Sequence, residues 1–391
     1  MILHCFNVGQ GNCILAELPP DAKHPTIRFG LIDCFYSPTE SSEPSVLTYL
    51  KTRGVSNLEF IVLTHPDEDH ARGLSKVLEY YSTGGRTFKS YVESFCDCEA
   101  VCRANEVRKS AIGESVVSAH GKELQLIAKH TCLKVAKNKS SFKYESLGHA
   151  FTAFTLTDDL EMQFVAPTQN AFYRLKQKLL GLAQALQTNK VPSRLDLNDG
   201  SLAFMLKYGN ARVLICGDVT SQVWTELVPL AREAGISLRS DFVAVSHHGA
   251  DTGNPAALWD EIAHDVMGTG TPTFAVISCG YKNRHKHPST KVLNRILSRQ
   301  VLLFCINRGF PCRNLTPKSK TTKDIVAELI SNMNKPVLDK VLGEIGYPIE
   351  EVCSGKCEFE ILQNGKVKLL YRDRDADCLY ASSKGFNIVQ V

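Results

Sequence analysis

Three short apolar runs, each ending in imidazole or carboxylate, constrain this chain most: Leu58 to His65 (LEFIVLTH), Val213 to Asp218 (VLICGD) and Phe242 to His248 (FVAVSHH). Each is apolar, rich in β-branched residues and too short for a packed helix, so each predicts a buried strand. A buried strand that ends on an ionisable side chain delivers that group to a sheet edge. If the three strands share an edge, their polar ends converge there.

The intervening sequence supplies the rest of a layered α/β domain. MILHCFNVGQGNCILAEL and TIRFGLIDC predict strands punctuated by Gly9, Gly11 and Gly30, and Ser41 to Arg53 predicts a helix. HARGLSKVLEYY has helical spacing at Leu74, Val77, Leu78 and Tyr81, which puts the cluster HPDEDH on a strand-to-helix loop. LEMQFVAP predicts a strand, and AFYRLKQKLLGLAQALQ an amphipathic helix with Leu175, Leu179, Leu182 and Leu186 on one stripe. SLAFMLKYGNARVLICGD predicts a hairpin about Gly209-Asn210, and TFAVISCG another buried strand. The alternation of strands and helices predicts stacked α and β layers.

Within that frame, His65, Asp67, Asp69 and His70 are candidate ligands, because zinc and manganese accept imidazole nitrogen and carboxylate oxygen. The competing reading is a polar turn with Asp69 capping the next helix. Taken alone, Asp218 reads as a cap, and His247 or His248 as a satisfied polar group. Three strand ends of this kind together favour a metal site.

Composition excludes several classes. The chain has 391 residues, 43% of them hydrophobic and 22% charged, which predicts a folded globular protein of one large domain or two smaller ones. A net charge of +4, from 45 basic and 41 acidic residues, does not by itself argue for nucleic acid. The N-terminus lacks a basic region, and His4, Asn7, Gln10 and Asn12 interrupt its apolar run, so neither a signal peptide nor a membrane span is expected. The expectation is a cytoplasmic protein with no membrane partner, whose 14 cysteines are mostly reduced thiols.

The stretches NVGQGNC, LIDC, LTHPDEDHARGL, DLNDGSLAFMLKYGNARVLICGD, VAVSHHG and SCGYKNRHKHPSTKVLNRI, in order from residue 2 to about 310, resemble the metallo-β-lactamase superfamily. More narrowly they resemble the soluble hydrolase domain of the competence protein ComEC. The resemblance implies a four-layer αββα sandwich over residues 1–310, with a small α+β extension of unknown role at 311–391. It also implies a metal-dependent hydrolase of phosphodiester bonds, most simply a DNA nuclease, in which two divalent ions (zinc or manganese) activate a water. By that resemblance His65 and Asp67 bind one ion, Asp69 and His70 the second, and Asp218 bridges them. His247 completes the second site and His248 lies behind it, although sequence cannot order that pair.

The same resemblance makes Asp33 a structural aspartate that orients the ligand loop. It gives Asp69 a part in orienting the attacking water, and His287 a role on phosphate or as an acid, with Asn283, Lys282 and Arg284 on its loop. The chain departs from the superfamily pattern at two ligands. Asp67 stands where a second histidine is usual, and a third has no clear match. Asp199 is the nearest candidate, with Asn198 and Asp196 behind it. Such an oxygen-rich site raises manganese relative to zinc. The competing functions are a hydrolase of small phosphodiesters or other esters, and a non-catalytic component of a multi-protein defence assembly.

Beyond the resemblance, Arg313, Lys318, Lys320 and Lys323 form a basic stretch, a helix is expected at IVAELISNMNKPVLDKVL, and KCEFEILQNGKVKLLYR predicts a hairpin about Asn364-Gly365. This tail reads equally as a guide for a polyanion, a solvated linker or a docking surface for a partner protein. Cys96, Cys98 and Cys102, and separately Cys353 and Cys357, lack paired zinc-ligand spacing and read as ordinary thiols. Oligomeric state is left open.

Overall fold

The computed structural model describes residues 1–38, 41–83, 87–92, 123, 126–127, 151, 153–188, 197–264, 271–280, 283–307, 309–312 and 356–373. Among them are fourteen strands in two seven-stranded mixed sheets.

The first sheet begins with an antiparallel meander, β1 (Ile2–Cys5), β2 (Ile14–Leu18) and β3 (Arg28–Ile32), and continues in parallel through β4 (Asn57–Leu63) and β5 (Thr87–Val92). The second begins with β6 (Ala153–Thr157), β7 (Leu160–Ala166), β8 (Ala203–Tyr208) and β9 (Ala211–Ile215), all antiparallel. Parallel strands β10 (Phe242–Ala244), β11 (Phe274–Ile277) and β12 (Leu302–Cys305) complete it. Gly209-Asn210 makes the two-residue β8–β9 turn, with φ +59 at Gly209, as the hairpin reading expects.

Three buried clusters define the layers. Leu3, Ile14, Phe60 and Val62 of the first sheet meet Phe164, Phe204, Ile215 and Phe304 of the second. The outer face of the first sheet is covered by α1 (Ser45–Thr52) and α3 (Leu74–Ser82), whose Leu47, Leu50, Val77 and Tyr81 pack against it. The outer face of the second is covered by α5 (Ser221–Glu233), α6 (Ala256–Ile262) and α7 (Thr290–Leu297), through Trp224, Trp259 and Ile296. This is the four-layer αββα sandwich that the resemblance implied.

Two helices differ from the sequence reading. The helix expected over 70–81 is broken into α2 (Glu68–Ala71) and α3, because Gly73 donates to Cys34 O at 2.7 Å, where an added Cβ would meet Cys34 Sγ at 2.8 Å. Of the stripe on α4 (Gln169–Gln187), Leu175 is buried, while the side chains of Leu179, Leu182 and Leu186 lie outside the described residues.

The hairpin expected in the C-terminal extension forms as β13 (Cys357–Ile361) and β14 (Val367–Arg372), with Gly365 at φ +82. It does not stand apart from the sandwich, as a boundary at 310 would have it. β13 pairs with all four residues of β1, placing Cys5 opposite Cys357, and Phe359 packs on Phe242 and Phe304 between the sheets. Burial of Cys357, Phe359 and Ile361 on one face gives the physical reason: the first sheet needs an edge there to close the core. Residues 313–355, including the basic stretch and the expected helix, lie outside the described residues, as do Cys96, Cys98, Cys102 and Cys353. All eight described cysteines are buried, and no disulfide joins any two of them. No helix among the described residues is long and apolar enough to cross a membrane.

Candidate metal centre

The C-terminal ends of parallel strands gather at one edge, the usual place for sites in such sheets. Asp33 follows β3, Thr64 and His65 follow β4, Gly217 and Asp218 follow β9, His247 and His248 follow β10, and Ser278 follows β11. One bond stitches the sheets together at this edge, from Leu202 N to Thr64 O at 2.8 Å, and within the second sheet Asp218 N donates to Ser201 Oγ at 2.8 Å. Gly217, at φ +50, admits this approach; a Cβ there would stand 2.6 Å from Leu202 O and Ser201 Oγ.

Asp218 is the hub, and its two oxygens face different partners. Oδ2 lies 3.6 Å from His65 Nε2 and 3.5 Å from His247 Nε2. Oδ1 lies 3.2 Å from His70 Nε2 and 3.9 Å from His248 Nε2. Asp69 Oδ2 is 3.2 Å from His248 Nε2, which is itself 3.2 Å from His70 Nε2. Ligand atoms within 4.8 Å of one another thus form two groups, His65–His70–Asp218 and Asp69–His70–His248.

The tautomers follow from what stands behind each ring, since carboxylate and carbonyl oxygens only accept. His70 Nδ1 donates to Asp33 Oδ2 at 2.7 Å, and His248 Nδ1 to Ser278 O at 2.6 Å. The Thr64 hydroxyl donates to Asp33 Oδ2 at 2.9 Å, leaving its lone pair for His65 Nδ1 at 3.1 Å. With each Nδ1 protonated, three Nε2 lone pairs converge on two carboxylates. His65 Nε2 and Asp218 Oδ1 are buried and make no hydrogen bond. Lone pairs facing one another at this range repel unless a cation lies between them. The donor set therefore fits a divalent metal, with orienting partners of the kind metal-bound histidines have.

Electrostatics agrees. Burial alone would raise the Asp218 carboxyl, but His70, His248, His65 and His247 outweigh it and hold it well below the usual range. Asp69 is likewise held down against its own burial, by a bond from His248 and by the charge of that ring and His70. Burial would lower His70 and His248, yet Asp218 with Asp33 raises the first and Asp218 with Asp69 raises the second. His65 goes the other way, lowered to about 4 by burial and by His70. A metal-free cluster thus takes up protons where a metal would otherwise bind.

The structure orders the histidine pair that sequence left open. His248 joins Asp69 and His70, while His247 stands on the His65 side of Asp218. Both adopt left-handed backbone, φ +48 and +51, uncommon for non-glycine residues and concentrated at functional sites. Asn254, fully buried, holds the turn by donating to Ser246 O and Ala250 O at 2.8 Å each. Asp67 sits at the rim, its side chain 46% exposed and Oδ2 3.9 Å from His65 Nε2. The capping alternative fails, because Asp69 lies inside the first turn of α2 and faces His248.

Asp199 is a correction. It is buried, but Lys178 Nζ at 2.9 Å and Arg174 Nε at 3.5 Å neutralise it from α4, and it joins neither ligand group. Asp196 and Lys282 lie outside the described residues. Thr64, Ser201 and Ser278 were missed; the one signal available was the adjacency of Thr64 to His65.

His287 stands beside the centre, its ring centroid 5.8 Å from that of His247. Burial and the neighbouring imidazoles lower it to about 4, so it is neutral at pH 7. Asn283 does not face outward toward substrate: its amide accepts from His287 N at 2.7 Å and donates to His287 O at 2.7 Å and Gly280 O at 2.8 Å, clamping the loop.

Residues 6–128 match the family model "Metallo-beta-lactamase superfamily". A stretch of 110 residues is 28% identical to "Competence protein ComA" of Neisseria gonorrhoeae, covering 28% of this chain and 14% of that protein, so the chain spans a small share of that relative. Among solved structures, the metallo-beta-lactamase fold protein YhfI from Bacillus subtilis is similar at 13% identity, covering 79% of this chain and 97% of that one, with a TM-score of 0.36. Residues 6–128 are thus similar to the metallo-beta-lactamase superfamily, and the described residues as a whole fold as an αββα sandwich.

Proposed function

We propose that the protein is a metal-dependent phosphodiesterase that cleaves DNA. One observation carries the reading: Asp218 turns its two oxygens to two separate sets of imidazole lone pairs, the disposition a ligand shared by two ions needs. The superfamily is generally hydrolytic, and the similarity to a competence protein favours nucleic acid over other esters.

His65, Asp67 and His247 with Asp218 Oδ2 would hold one divalent ion, and Asp69, His70 and His248 with Asp218 Oδ1 the other. Such ions supply Lewis acidity, lowering the pKa of water and screening phosphate charge. The chain's own groups do the rest. Asp33 and Thr64 fix the tautomers of His70 and His65, so no rearrangement is needed to bind. Asp69, kept ionised, accepts a hydrogen bond from the attacking water and orients it. His287, neutral at pH 7, offers a ring N–H to a phosphate oxygen; the phosphate's charge would raise its pKa and ready it to protonate the leaving oxygen.

The test is incubation of purified protein, loaded with manganese or with zinc, with single-stranded DNA, duplex DNA, RNA and a chromogenic phosphodiester. Metal-dependent DNA cleavage is expected. Cleavage of the chromogenic diester alone would move the substrate to small molecules, and no cleavage by metal-loaded protein would overturn the assignment.

A further inference from the structure

We infer that Arg295, on α7, is a positioning residue for His247 and thereby sets how tightly the Asp218 Oδ2 side of the centre holds its ion, an inference that rests on the two-ion reading above. The four imidazoles around Asp218 are not held alike. His65, His70 and His248 each have a partner behind the ring: the Thr64 hydroxyl, Asp33 Oδ2 and Ser278 O contact their Nδ1 atoms at 3.1, 2.7 and 2.6 Å. His247 Nδ1 is buried and has no hydrogen-bond partner among the described residues. Its Nε2 nonetheless stands 3.5 Å from Asp218 Oδ2. The ring is therefore aimed by its backbone, left-handed at φ +48, and by what packs against it.

The single turn Asp251–Gly253 packs there. A Cβ added at Gly253 would meet His247 Cβ at 2.8 Å, so the turn lies directly against the root of the side chain. Arg295 grips this turn at both ends. Its Nη1 donates to the Asp251 carboxylate at the start and to Asn254 O, at 2.7 Å, just past the finish. Asn254 passes the restraint on, since its amide donates to Ser246 O and Ala250 O on either side of the histidine pair. Lys291 Nζ also lies 3.6 Å from Asp251, but its side chain is 74% exposed, and a pair so open to water contributes little. At the start of the same helix, Ser289 N donates to Gly249 O at 2.9 Å. One helix thus holds both sides of the segment that carries His247.

Left-handed backbone at a non-glycine residue persists only where its surroundings impose it. Cutting the Arg295 grip removes part of that imposition, so His247 relaxes and its Nε2 leaves Asp218 Oδ2. His248 shares the strained turn, at φ +51, but its Nδ1 stays bonded to Ser278 O. The loss therefore falls on one ion position and spares the other.

The experiment is a zinc titration of chelated full-length protein against a competing chromogenic chelator. The parent is compared with Arg295→Met, which keeps the stem of the side chain and removes its donors. His247→Ala marks which of the two binding steps belongs to His247. Arg295→Met should weaken that same step roughly 10–100-fold and leave the other unchanged, and Arg295→Lys should restore most of it. Combined with His247→Ala, Arg295→Met should add nothing, because a residue that acts through another has no further effect once that one is gone. Additive losses, equal weakening of both steps, or unaltered zinc binding with only a lower thermal midpoint would overturn the role and leave the hydrolase reading standing. If Arg295→Met does not fold, Asp251→Ala, at a side chain 40% exposed, runs the same cycle with a smaller expected loss. A single zinc step in the parent would overturn both the role and the two-ion reading. Selective loss of the His247 step, in a protein that cleaves no phosphodiester, would uphold the role while sinking the hydrolase.

Discussion

Asp199 and Asp218 are buried carboxylates of nearly equal exposure, 6% and 3%, in a chain that treats them oppositely. Asp199 is met by fixed cations, Lys178 and Arg174. Asp218 is met by four imidazoles, three of which have Nδ1 engaged elsewhere and turn lone pairs toward the carboxylate region. At the first corner the chain itself settles the charge, and the result is structural. At the second the chain supplies donors and leaves the cation to come from outside. Burial of an acid does not mark a site; what stands opposite it does.

The largest effect is expected at the hub. Asp218→Ala should strip bound metal and reduce hydrolysis to background, read by elemental analysis and turnover together. Retained metal would dissolve the contrast with Asp199. Next, His287→Ala should cut turnover by roughly 10²–10³, the loss of one donor to developing charge, with metal content unchanged. Metal loss in that variant would make His287 a ligand.

Removing support behind the rings should cost less. Asp33→Asn or Thr64→Val should weaken metal affinity by about 10–100-fold, measured by competition with a chelator. At the Asp199 corner, Asp199→Asn should leave metal and turnover intact while costing about 1 kcal/mol in stability, visible in denaturant melts. Metal loss there would restore Asp199 as a ligand.

The smallest effect is a pH dependence in chelated protein. His65 is lowered from 6.5 to about 4 in the fold, so between those values the unfolded chain binds its proton and the folded one does not. The stability that neutral His65 confers is therefore present above about pH 6.5 and lost as pH falls toward 4. His70 and His248, both raised, contribute in the opposite sense and over a different window, with stability lost as pH rises above 6.5. Comparing the parent with His65→Gln isolates the acid limb, and identical limbs would contradict the burial of that ring.

Much of this was legible because periodicity and strand ends are local properties. LEFIVLTH, VLICGD and FVAVSHH became β4, β9 and β10 with their polar ends at one edge, since apolar runs of that length bury as strands. The Gly209-Asn210 and Asn364-Gly365 turns were equally local. Gly73 was not, because the α2–α3 break depends on contact with Cys34 across the layer. Nor were Ser201 and Ser278, whose roles depend on reaching the Asp218 amide and the His248 ring.

The sequence by itself determined the inventory: alternating strands and helices, a loop of imidazoles and carboxylates, and Asp218 and two histidines at later strand ends. Only the tertiary structure decided how that inventory is shared. His247 and His248 are adjacent, and their left-handed backbone, held by Asn254, sends one ring to each oxygen of Asp218. Asp199 lost its place as a ligand because α4 brings Lys178 against it, and β13 joined the domain because β1 offered an open edge. These outcomes turn on contacts between residues far apart in the chain, or on a turn held by the packing around it. Local propensity carries no information about which partner arrives.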